Sequence, residues 1–340
     1  MPTVLVTGAT GFIAGHCVDE LLRHGYAVRG TVRDPATADV AHLHALARNT
    51  NGSLEFAQAS LDDDQGWDEA AAGCDYVWHL ASPVPARLPR DEDELVRPAV
   101  DGTLRVLRAA ARSGTVRRVV MTSSTDAIVH GHTSPGRLST EADWSDPGRL
   151  APYPKSKFHA ERVAWDFAAT HPVELVTINP GLVLGPLQRR QQATSMEAIR
   201  LLLARKLPAV PRLSFAVADV RDVAAAHRLA METPGAAGSR YICASPAMWM
   251  GDIAAVLAAE FGPHGYRVPV RTLPYWLMWA SARFDPTIRL ALSYYGVPVL
   301  VSADKAKQEL GWVPRPPRES IVAAGESLIR HGIVPRRQLP

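Results

Sequence analysis

The segment from residue 1 to residue 16 restricts the fold of this chain more than any other. An apolar, β-branched run at 3–7 precedes Gly8, a turn leads to Gly11, and apolar residues then recur at helical spacing over 12–22. This order predicts a strand, a glycine loop and a helix. Glycines allow a sharp turn close to a ligand, and free N–H groups at a helix start attract an anion. We therefore predict a site for the pyrophosphate of a dinucleotide, with a plain structural turn as the alternative.

Strand and helix patterns alternate after this segment. Five more short apolar runs predict strands, and stretches with helical spacing separate them up to about residue 181. Such alternation predicts an α/β fold, with a doubly wound parallel sheet of the Rossmann type covered by helices on both faces. Beyond it the alternation weakens, which predicts a smaller, mainly helical C-terminal part. The expected division is a dinucleotide-binding domain over 1–181, with a return contribution from about 215–245, and a substrate-binding part over 182–214 and 246–340.

Composition excludes several function classes. A formal net charge of +3 in 340 residues is too small to indicate nucleic-acid binding, and 47% hydrophobic with 21% charged residues excludes a disordered chain. No apolar stretch is long enough to span a membrane, and no charged, apolar leader precedes the first strand, so we expect neither a membrane segment nor a secretory signal. The three cysteines lack disulfide or metal spacing, which predicts buried thiols in a reducing cytoplasm and no metal site.

Arg33 stands at the end of the second predicted strand, where dinucleotide folds contact the adenosine ribose. An acidic residue there accepts hydrogen bonds from the ribose of NAD, whereas an arginine can hold the additional phosphate of NADP. The strand itself, residues 26–32, contains no acidic residue. Arg33 therefore predicts NADP as the cofactor. A solvated arginine is the alternative, and Asp34 or Asp39 could repel the phosphate.

A tyrosine and a lysine share one face of the helix predicted to begin near residue 153. Tyr153 and Lys157 lie on a stripe that continues through Ala160, Ala164 and Phe167. A lysine is seldom buried without a partner, and the tyrosine lies one turn earlier on the same face. A nearby cation lowers the pKa of a phenol, which would give a proton donor usable near neutrality. A core tyrosine beside a lysine whose amine reaches solvent is the alternative.

Polar residues follow several strands at the edge of the sheet where ligands bind. Ser82 follows the fourth strand, Ser124 the fifth and Asn179 the sixth. The stretch at 126–152 is rich in Gly, Ser, Pro and His and predicts a loop over the site.

Asp126 lies two residues after Ser124, on the side of this loop that should face the substrate. It could accept a hydrogen bond from a substrate hydroxyl or cation, but a solvated carboxylate is slightly favoured. His130 and His132 lack a third ligand at a recognised spacing, so they are interpreted as loop histidines rather than metal ligands.

Together the glycine loop, Ser124 and the Tyr-x-x-x-Lys pair resemble an extended short-chain dehydrogenase/reductase, and most closely the dihydroflavonol 4-reductase-like group. Cinnamoyl-CoA reductases and yeast-type methylglyoxal and aldehyde reductases are relatives of that group. The resemblance covers nearly the whole chain. The stretches that carry it are 6–16, 30–35, 73–85, 97–110, 119–124, 153–167, 178–186, 219–227 and 311–312.

The resemblance implies an NADPH-dependent reductase that transfers a hydride reversibly to the carbonyl of an aldehyde or ketone. Tyr153 would be the general acid, Lys157 would lower its pKa and hold the nicotinamide ribose, and Ser124 would orient the carbonyl. The cofactor-binding residues implied are Gly8, Gly11, Phe12, Ile13, Arg33, Leu61, Ala81, Ser82, Pro83, Thr122, Tyr153, Lys157, Pro180, Gly181 and Val183. The substrate-binding residues implied are Val84, Thr125, Asp126 and Leu182.

Four positions depart from the family pattern. The family often has an aspartate where Ser60 stands, a lysine within 38–40 and a small apolar residue where Asp126 stands. The signature of plant cinnamoyl-CoA reductases ahead of the tyrosine is absent from 148–152. The second basic residue for NADP and the class of substrate are therefore open.

Two other functions remain as alternatives. A nucleotide-sugar epimerase or dehydratase has the same fold, but such enzymes usually keep NAD and have an acid where Arg33 stands. A non-catalytic NADP-sensing protein usually lacks the residues that stand here as Tyr153 and Lys157. A monomer or a homodimer is expected, and the sequence leaves the natural substrate and its stereochemistry open.

Overall fold

A parallel sheet of seven strands runs through the described part of the chain, which comprises residues 1–83, 91–132, 136–191 and 193–337 of a computed structural model. The strands there, numbered along the chain, are β1 (Thr3–Val6), β2 (Ala27–Val32), β3 (Ser53–Gln58), β4 (Tyr76–His79), β5 (Arg118–Thr122), β6 (Glu174–Pro180), β7 (Leu182–Leu184), β8 (Ser214–Asp219), β9 (Arg240–Cys243) and β10 (Ala247–Trp249). The main sheet has the order β3-β2-β1-β4-β5-β6-β9. Strand order reverses between β1 and β4, which places a ligand crevice at their carboxyl ends.

Helices cover both faces of this sheet. Those in the described residues are α1 (Phe12–Arg23), α2 (Ala41–Ala47), α3 (Trp67–Ala71), α4 (Asp93–Ser113), α5 (Pro152–Ala168), α6 (Glu197–Leu203), α7 (Val220–Glu232), α8 (Met250–Phe261), α9 (Tyr275–Ser281), α10 (Pro286–Leu292), α11 (Asp304–Leu310) and α12 (Pro317–Arg330). One core packs α1 and α7 against the sheet, around Leu21 and Trp78. The other packs α4 and α5 against the opposite face, around Leu107 and Val119. The predicted doubly wound α/β fold is confirmed.

The central strands carry continuous apolar runs because both of their faces are buried. Val4, Leu5 and Val6 of β1 are each at most 1% exposed, and every residue of β5 is buried. All six strands predicted up to about residue 181 are present, as β1 to β6.

Three strands were not predicted from the sequence. β9 adds the last strand to the main sheet, beside β6, and β7, β8 and β10 form a separate three-stranded sheet. β7, β9 and β10 are three or four residues long, which is too short for a period of two to stand out. The C-terminal part therefore contains a small sheet besides its helices α6, α8 and α12, which share a third core. The predicted domain boundaries remain a prediction.

Candidate active site

The glycine loop between β1 and α1 is held in a conformation that excludes side chains. Gly8 has a φ of +64°, and a Cβ atom there would lie 3.1 Å from the Cβ of Ala81. A Cβ atom on Gly11 would lie 3.2 Å from the carbonyl oxygen of Gly8. Gly11 begins α1 without a side-chain cap, so the first N–H groups of the helix are available to an anion. This loop fits a dinucleotide pyrophosphate.

The carboxyl end of β4 is joined to the glycine loop through Thr7. The Thr7 hydroxyl accepts hydrogen bonds from the amides of Leu80 (3.0 Å) and Ala81 (2.9 Å). The predicted residues Ala81, Ser82 and Pro83 therefore follow β4 beside the loop, each partly exposed. Val84 lies outside the described residues.

Three apolar residues predicted to contact the cofactor, Phe12, Ile13 and Leu61, pack against two different parts of the protein. Phe12 and Ile13 begin α1, and their side chains contact the small core that contains Val183 and Val220. Their backbone amides belong to the first turn of the helix. Leu61, which follows β3, packs so closely against Gly102 of α4 that a Cβ atom there would come within 2.9 Å.

Arg33 follows β2 on the surface, and both neighbouring carboxylates are occupied. Asp34 accepts hydrogen bonds from the amide of Ala36 (2.9 Å) and the hydroxyl of Thr37 (2.8 Å). Asp39 forms an ion pair with Arg189 at 2.7 Å. Asp34 closes a turn and Asp39 is neutralised by an arginine. The repulsion that these two carboxylates could exert on a 2′-phosphate is therefore reduced.

Tyr153 and Lys157 lie in the first two turns of α5. Lys157 is only 6% exposed, so its predicted place on the buried face is confirmed. Burial lowers the pKa of Lys157 to about 8, while the carboxylates of Asp126 and Glu161 act in the opposite direction.

The pKa of Tyr153 differs from the sequence-based prediction. We predicted that Lys157 would lower it, but the pKa of Tyr153 is raised, because burial disfavours the phenolate and the Asp126 carboxylate repels it. The phenol therefore keeps its proton at neutral pH.

Ser124 caps a short 3₁₀ helix, Thr125–Ala127, directly after β5. Its Oγ accepts a hydrogen bond from the amide of Asp126 and donates one to Asp126 Oδ2, both at 3.1 Å. Asp126 Oδ1 lies 2.8 Å from Nε2 of His130. Burial alone would raise the pKa of Asp126, but hydrogen bonds from His130 and Ser124 and the nearby charge of Lys157 outweigh it and hold the pKa below its usual value. The favoured interpretation of Asp126 as a solvated loop residue is therefore wrong.

Glu161 is a buried residue that sequence reasoning missed. It is 0% exposed and accepts hydrogen bonds from Arg240 Nε (2.6 Å), Asn179 Nδ2 (2.8 Å) and the hydroxyl of Ser123. Asn179 also donates to the carbonyl oxygen of Ser124 at 3.2 Å. The network fixes the ends of β5 and β6 relative to α5. Its sequence signal was the spacing of Glu161, one helical turn after Lys157.

The remaining predicted residues lie at the same edge of the sheet. Thr122 ends β5, and its hydroxyl contacts His227 of α7 at 2.7 Å. Thr125 is buried, Pro180 ends β6, and Leu182 begins β7 against the C-terminal core. At Gly181 a Cβ atom would lie 1.9 Å from a carbonyl oxygen of β8, so only glycine fits there.

The C-terminal part closes over the site through Tyr294, whose ring centroid lies 5.2 Å from that of His130. Burial raises the pKa of Tyr294, and the Asp126 carboxylate adds to the effect. No sequence signal connects Tyr294 with the site, because it follows a short helix nearly 170 residues after Asp126 in the chain.

Within the described residues no group of three or more His, Cys, Asp or Glu side chains is arranged to hold a metal ion. Among the helices found there, none combines the length and the apolar character needed to cross a membrane. The site therefore offers a proton donor, an amine and a hydroxyl group beside a loop that fits a dinucleotide. This set can protonate an oxygen and stabilise the charge that develops.

Several known proteins are similar to this chain in sequence or in fold. Residues 4–244 match the NAD dependent epimerase/dehydratase family. The chain is 41% identical over 273 residues to cinnamoyl-CoA reductase 1 of Petunia hybrida, covering 79% of each sequence. It is 34% identical over 284 residues to an anthocyanidin reductase of Vitis vinifera, covering 78% of this chain and 82% of that protein. The solved structure of yeast methylglyoxal/isovaleraldehyde reductase Gre2 with NADPH is similar with a TM-score of 0.78 and 27% identity, over 96% of this chain and 98% of that chain.

Proposed function

The chain belongs to the NAD dependent epimerase/dehydratase family, among the extended short-chain dehydrogenases/reductases, and from this we propose that it is an NADPH-dependent reductase of aldehyde or ketone carbonyls. The observation that carries the proposal is the placement of Tyr153 and Lys157 on one face of α5, at the edge of the sheet that carries Ser124 and the glycine loop. The reaction is reversible and runs as alcohol oxidation in the other direction.

The cofactor is held by the chain's own backbone and charges. Gly8, Gly11 and the first turn of α1 would hold the pyrophosphate, Arg33 would hold the 2′-phosphate and Lys157 would hold the nicotinamide ribose. Bound NADPH supplies the hydride that reduces the carbonyl carbon.

The proton comes from the protein. Ser124 orients the carbonyl group by donating a hydrogen bond to its oxygen, and Tyr153 donates the proton to the same oxygen. Because burial raises the pKa of Tyr153, the phenol is protonated at neutral pH, as an acid must be. Lys157 is mostly protonated at pH 7, since its pKa is lowered only to about 8. Its ammonium group supplies positive charge to the site in which the proton is transferred.

Free aldehydes and ketones are the substrate class we favour over thioesters. A cinnamoyl-CoA reductase is among the relatives, but the signature of the plant enzymes is missing from 148–152. A nucleotide-sugar epimerase is disfavoured because Arg33 stands where such enzymes usually have an acid.

The three buried, unpaired cysteines support a reducing compartment such as the cytoplasm, and a monomer or homodimer is proposed as the working state.

A substrate panel tests the proposal. Purified protein is mixed with NADPH and, in separate reactions, methylglyoxal, an aromatic aldehyde, a phenyl ketone, cinnamoyl-CoA and a UDP-hexose. We expect loss of absorbance at 340 nm with the free carbonyl compounds. Turnover of the UDP-hexose without loss of NADPH, together with no loss on any carbonyl compound, would overturn the reductase function.

A further inference from the structure

A carboxylate and an imidazole lie beside the residues proposed to reduce the carbonyl group, and the proton transfer does not require them. Asp126 Oδ1 is 2.8 Å from His130 Nε2, and Asp126 Oδ2 is 3.1 Å from the hydroxyl of Ser124. The Asp126 side chain is 29% exposed, so a ligand can reach it.

The Asp126 carboxylate lies next to the hydroxyl of Ser124, the residue proposed to orient the carbonyl group. Its charge acts on Tyr153 and Lys157 of α5 and on Tyr294 of the C-terminal part, and Ser124 contacts it directly. It is ionised at neutral pH because its pKa lies below the usual value. A full negative charge therefore stands next to the reacting oxygen.

Ser124 has one hydroxyl proton, and Asp126 already accepts it. The same hydroxyl oxygen accepts the amide hydrogen of Asp126, so Ser124 Oγ is bonded on both sides within this turn. To donate to a carbonyl oxygen, the Ser124 hydroxyl must turn away from Asp126 Oδ2. The carboxylate oxygen then needs another donor, since leaving a partly buried charged acceptor unpaired is costly.

The Asp126 carboxylate cannot simply follow the hydroxyl of Ser124. His130 holds the other carboxylate oxygen, and Ser145 braces the turn by donating from its hydroxyl to the carbonyl oxygen of Asp126 (2.8 Å) and accepting from the amide of His130 (2.9 Å). Asp126 Oδ2 is therefore a fixed acceptor whose partner is exchanged when the carbonyl binds.

We propose that Asp126 determines substrate specificity by accepting a hydrogen bond from a neutral hydroxyl group that the substrate carries on the carbon next to its carbonyl. This rests on the reductase function proposed above. The substrate hydroxyl replaces that of Ser124 on Asp126 Oδ2 and leaves Ser124 to donate to the carbonyl oxygen. A hydroxyl on the carbon next to the carbonyl can donate to Asp126 Oδ2 while the carbonyl oxygen accepts from Ser124, each over a hydrogen bond of about 2.7–3.0 Å. A cationic substrate is disfavoured because the Lys157 ammonium lies in the same site and His130 already occupies Oδ1.

Three phenyl ketones test this assignment. They are 2-hydroxy-1-phenylethanone, which carries the donor, 2-methoxy-1-phenylethanone, which withdraws electrons similarly but has no donor, and 1-phenylpropan-1-one, which matches the hydroxy ketone in size. We expect wild-type kcat/KM with NADPH to be about ten- to hundredfold higher for the hydroxy ketone than for either other ketone, the value of one hydrogen bond to a charged group.

Variants of Asp126 and His130 should change the preference for the hydroxy ketone selectively. Asp126→Ala should bring the hydroxy-to-methoxy ratio close to one, and Asp126→Asn, whose amide oxygen is an uncharged acceptor of the same shape, should give an intermediate ratio. His130→Ala acts through the position of Asp126 and should raise KM for the hydroxy ketone alone, with His130→Gln restoring part of the effect. Asp166→Ala, on the exposed side of α5, is the matched control and should keep the wild-type ratio.

Failure of this inference and failure of the reductase function give different results. If wild-type protein reduces all three ketones equally, or if Asp126→Ala lowers kcat/KM for all three by the same factor, Asp126 does not select the substrate while the reductase function stands. If wild-type protein oxidises NADPH with none of the ketones and with no aldehyde of the panel, the reductase function fails and this inference fails with it.

Discussion

At the scale of single residues, burial raises the pKa of Tyr153 and so makes the phenol a proton donor rather than an acceptor at neutral pH. The sequence predicted its position on the helix correctly, but it could not predict the pKa, because burial and the distance to Asp126 depend on the folded chain. A phenol with a raised pKa is a proton donor at neutral pH and gives up its proton only as negative charge builds on the carbonyl oxygen.

Replacing Tyr153 with phenylalanine removes this proton and leaves the ring. We expect Tyr153→Phe to lower kcat for carbonyl reduction about a hundredfold or more, with the Kd of NADPH nearly unchanged. Steady-state kinetics and fluorescence titration of NADPH measure the two quantities. Tyr26→Phe removes a hydroxyl that contacts Glu232 away from the site and should leave both unchanged. A Tyr153→Phe protein that kept more than about a tenth of the activity would contradict the acid role.

At the same scale, Arg33 is the residue that we propose decides the cofactor preference. The guanidinium can donate two hydrogen bonds to a 2′-phosphate, and Asp39 does not oppose it because Arg189 neutralises that carboxylate. We expect a ten- to hundredfold preference for NADPH over NADH, about 1.5–3 kcal/mol, and its loss in Arg33→Ala. The ratio of kcat/KM for the two cofactors is the measurement. Arg48→Ala, exposed after α2, is the control, and a wild-type ratio near one would refute the assignment.

At the scale of secondary structure elements, the alternation of apolar runs was sufficient to predict the sheet as far as β6. The elements that complete the site were not predicted. β7 and β9 are too short to show a period, and the contacts of Glu161 with Arg240 join residues 79 positions apart. The aspartate–histidine pair was missed for another reason, since a spacing of four residues in a loop does not reveal which side chains turn towards each other.

The contact between α5 and β9 gives a prediction for stability. Arg240→Ala leaves the fully buried Glu161 carboxylate without its cation, so we expect the free energy of unfolding to fall by about 3–5 kcal/mol. Urea unfolding followed by circular dichroism measures the change. Arg200→Ala breaks an exposed pair with Glu197 on α6 and should cost less than about 1 kcal/mol. Equal losses in the two variants would show that the buried pair does not support the fold.

At the scale of the whole molecule, two buried neutral histidines, His79 on β4 and His227 on α7, make the free energy of unfolding depend on pH. Burial lowers the pKa of His227 to about 4, and burial together with the charge of Lys157 lowers that of His79 to about 3. Nδ1 of His227 must carry the ring proton because it contacts the carbonyl oxygen of Val223, so Nε2 accepts the hydroxyl of Thr122. A second ring proton would break this contact between α7 and β5.

The sign of the pH effect follows from the protons bound in each state. Between pH 6.5 and about 4 the unfolded chain binds a proton on His227 that the folded chain does not, so stability falls as the pH falls. We expect His227 to contribute about 3 kcal/mol to this loss. Unfolding of wild type and His227→Gln at pH 7 and pH 4.5 tests it, with His264→Gln, exposed after α8, as the control. A pH dependence that stays unchanged in His227→Gln would exclude this histidine as its source.

The long sequence separation between Glu161 and Arg240 has a consequence for synthesis on the ribosome. When the helix that carries Glu161 has left the exit tunnel, its arginine partner, 79 residues later, has not been translated. At about 5–20 residues per second, the carboxylate waits roughly 4 to 16 seconds for its counter-charge. During this interval, burial of the Glu161 carboxylate without Arg240 has a large electrostatic cost. We therefore expect α5 to reach its final packing only after β9 has been synthesised. Until then the edge of β6, which β9 covers in the folded protein, lacks its partner strand.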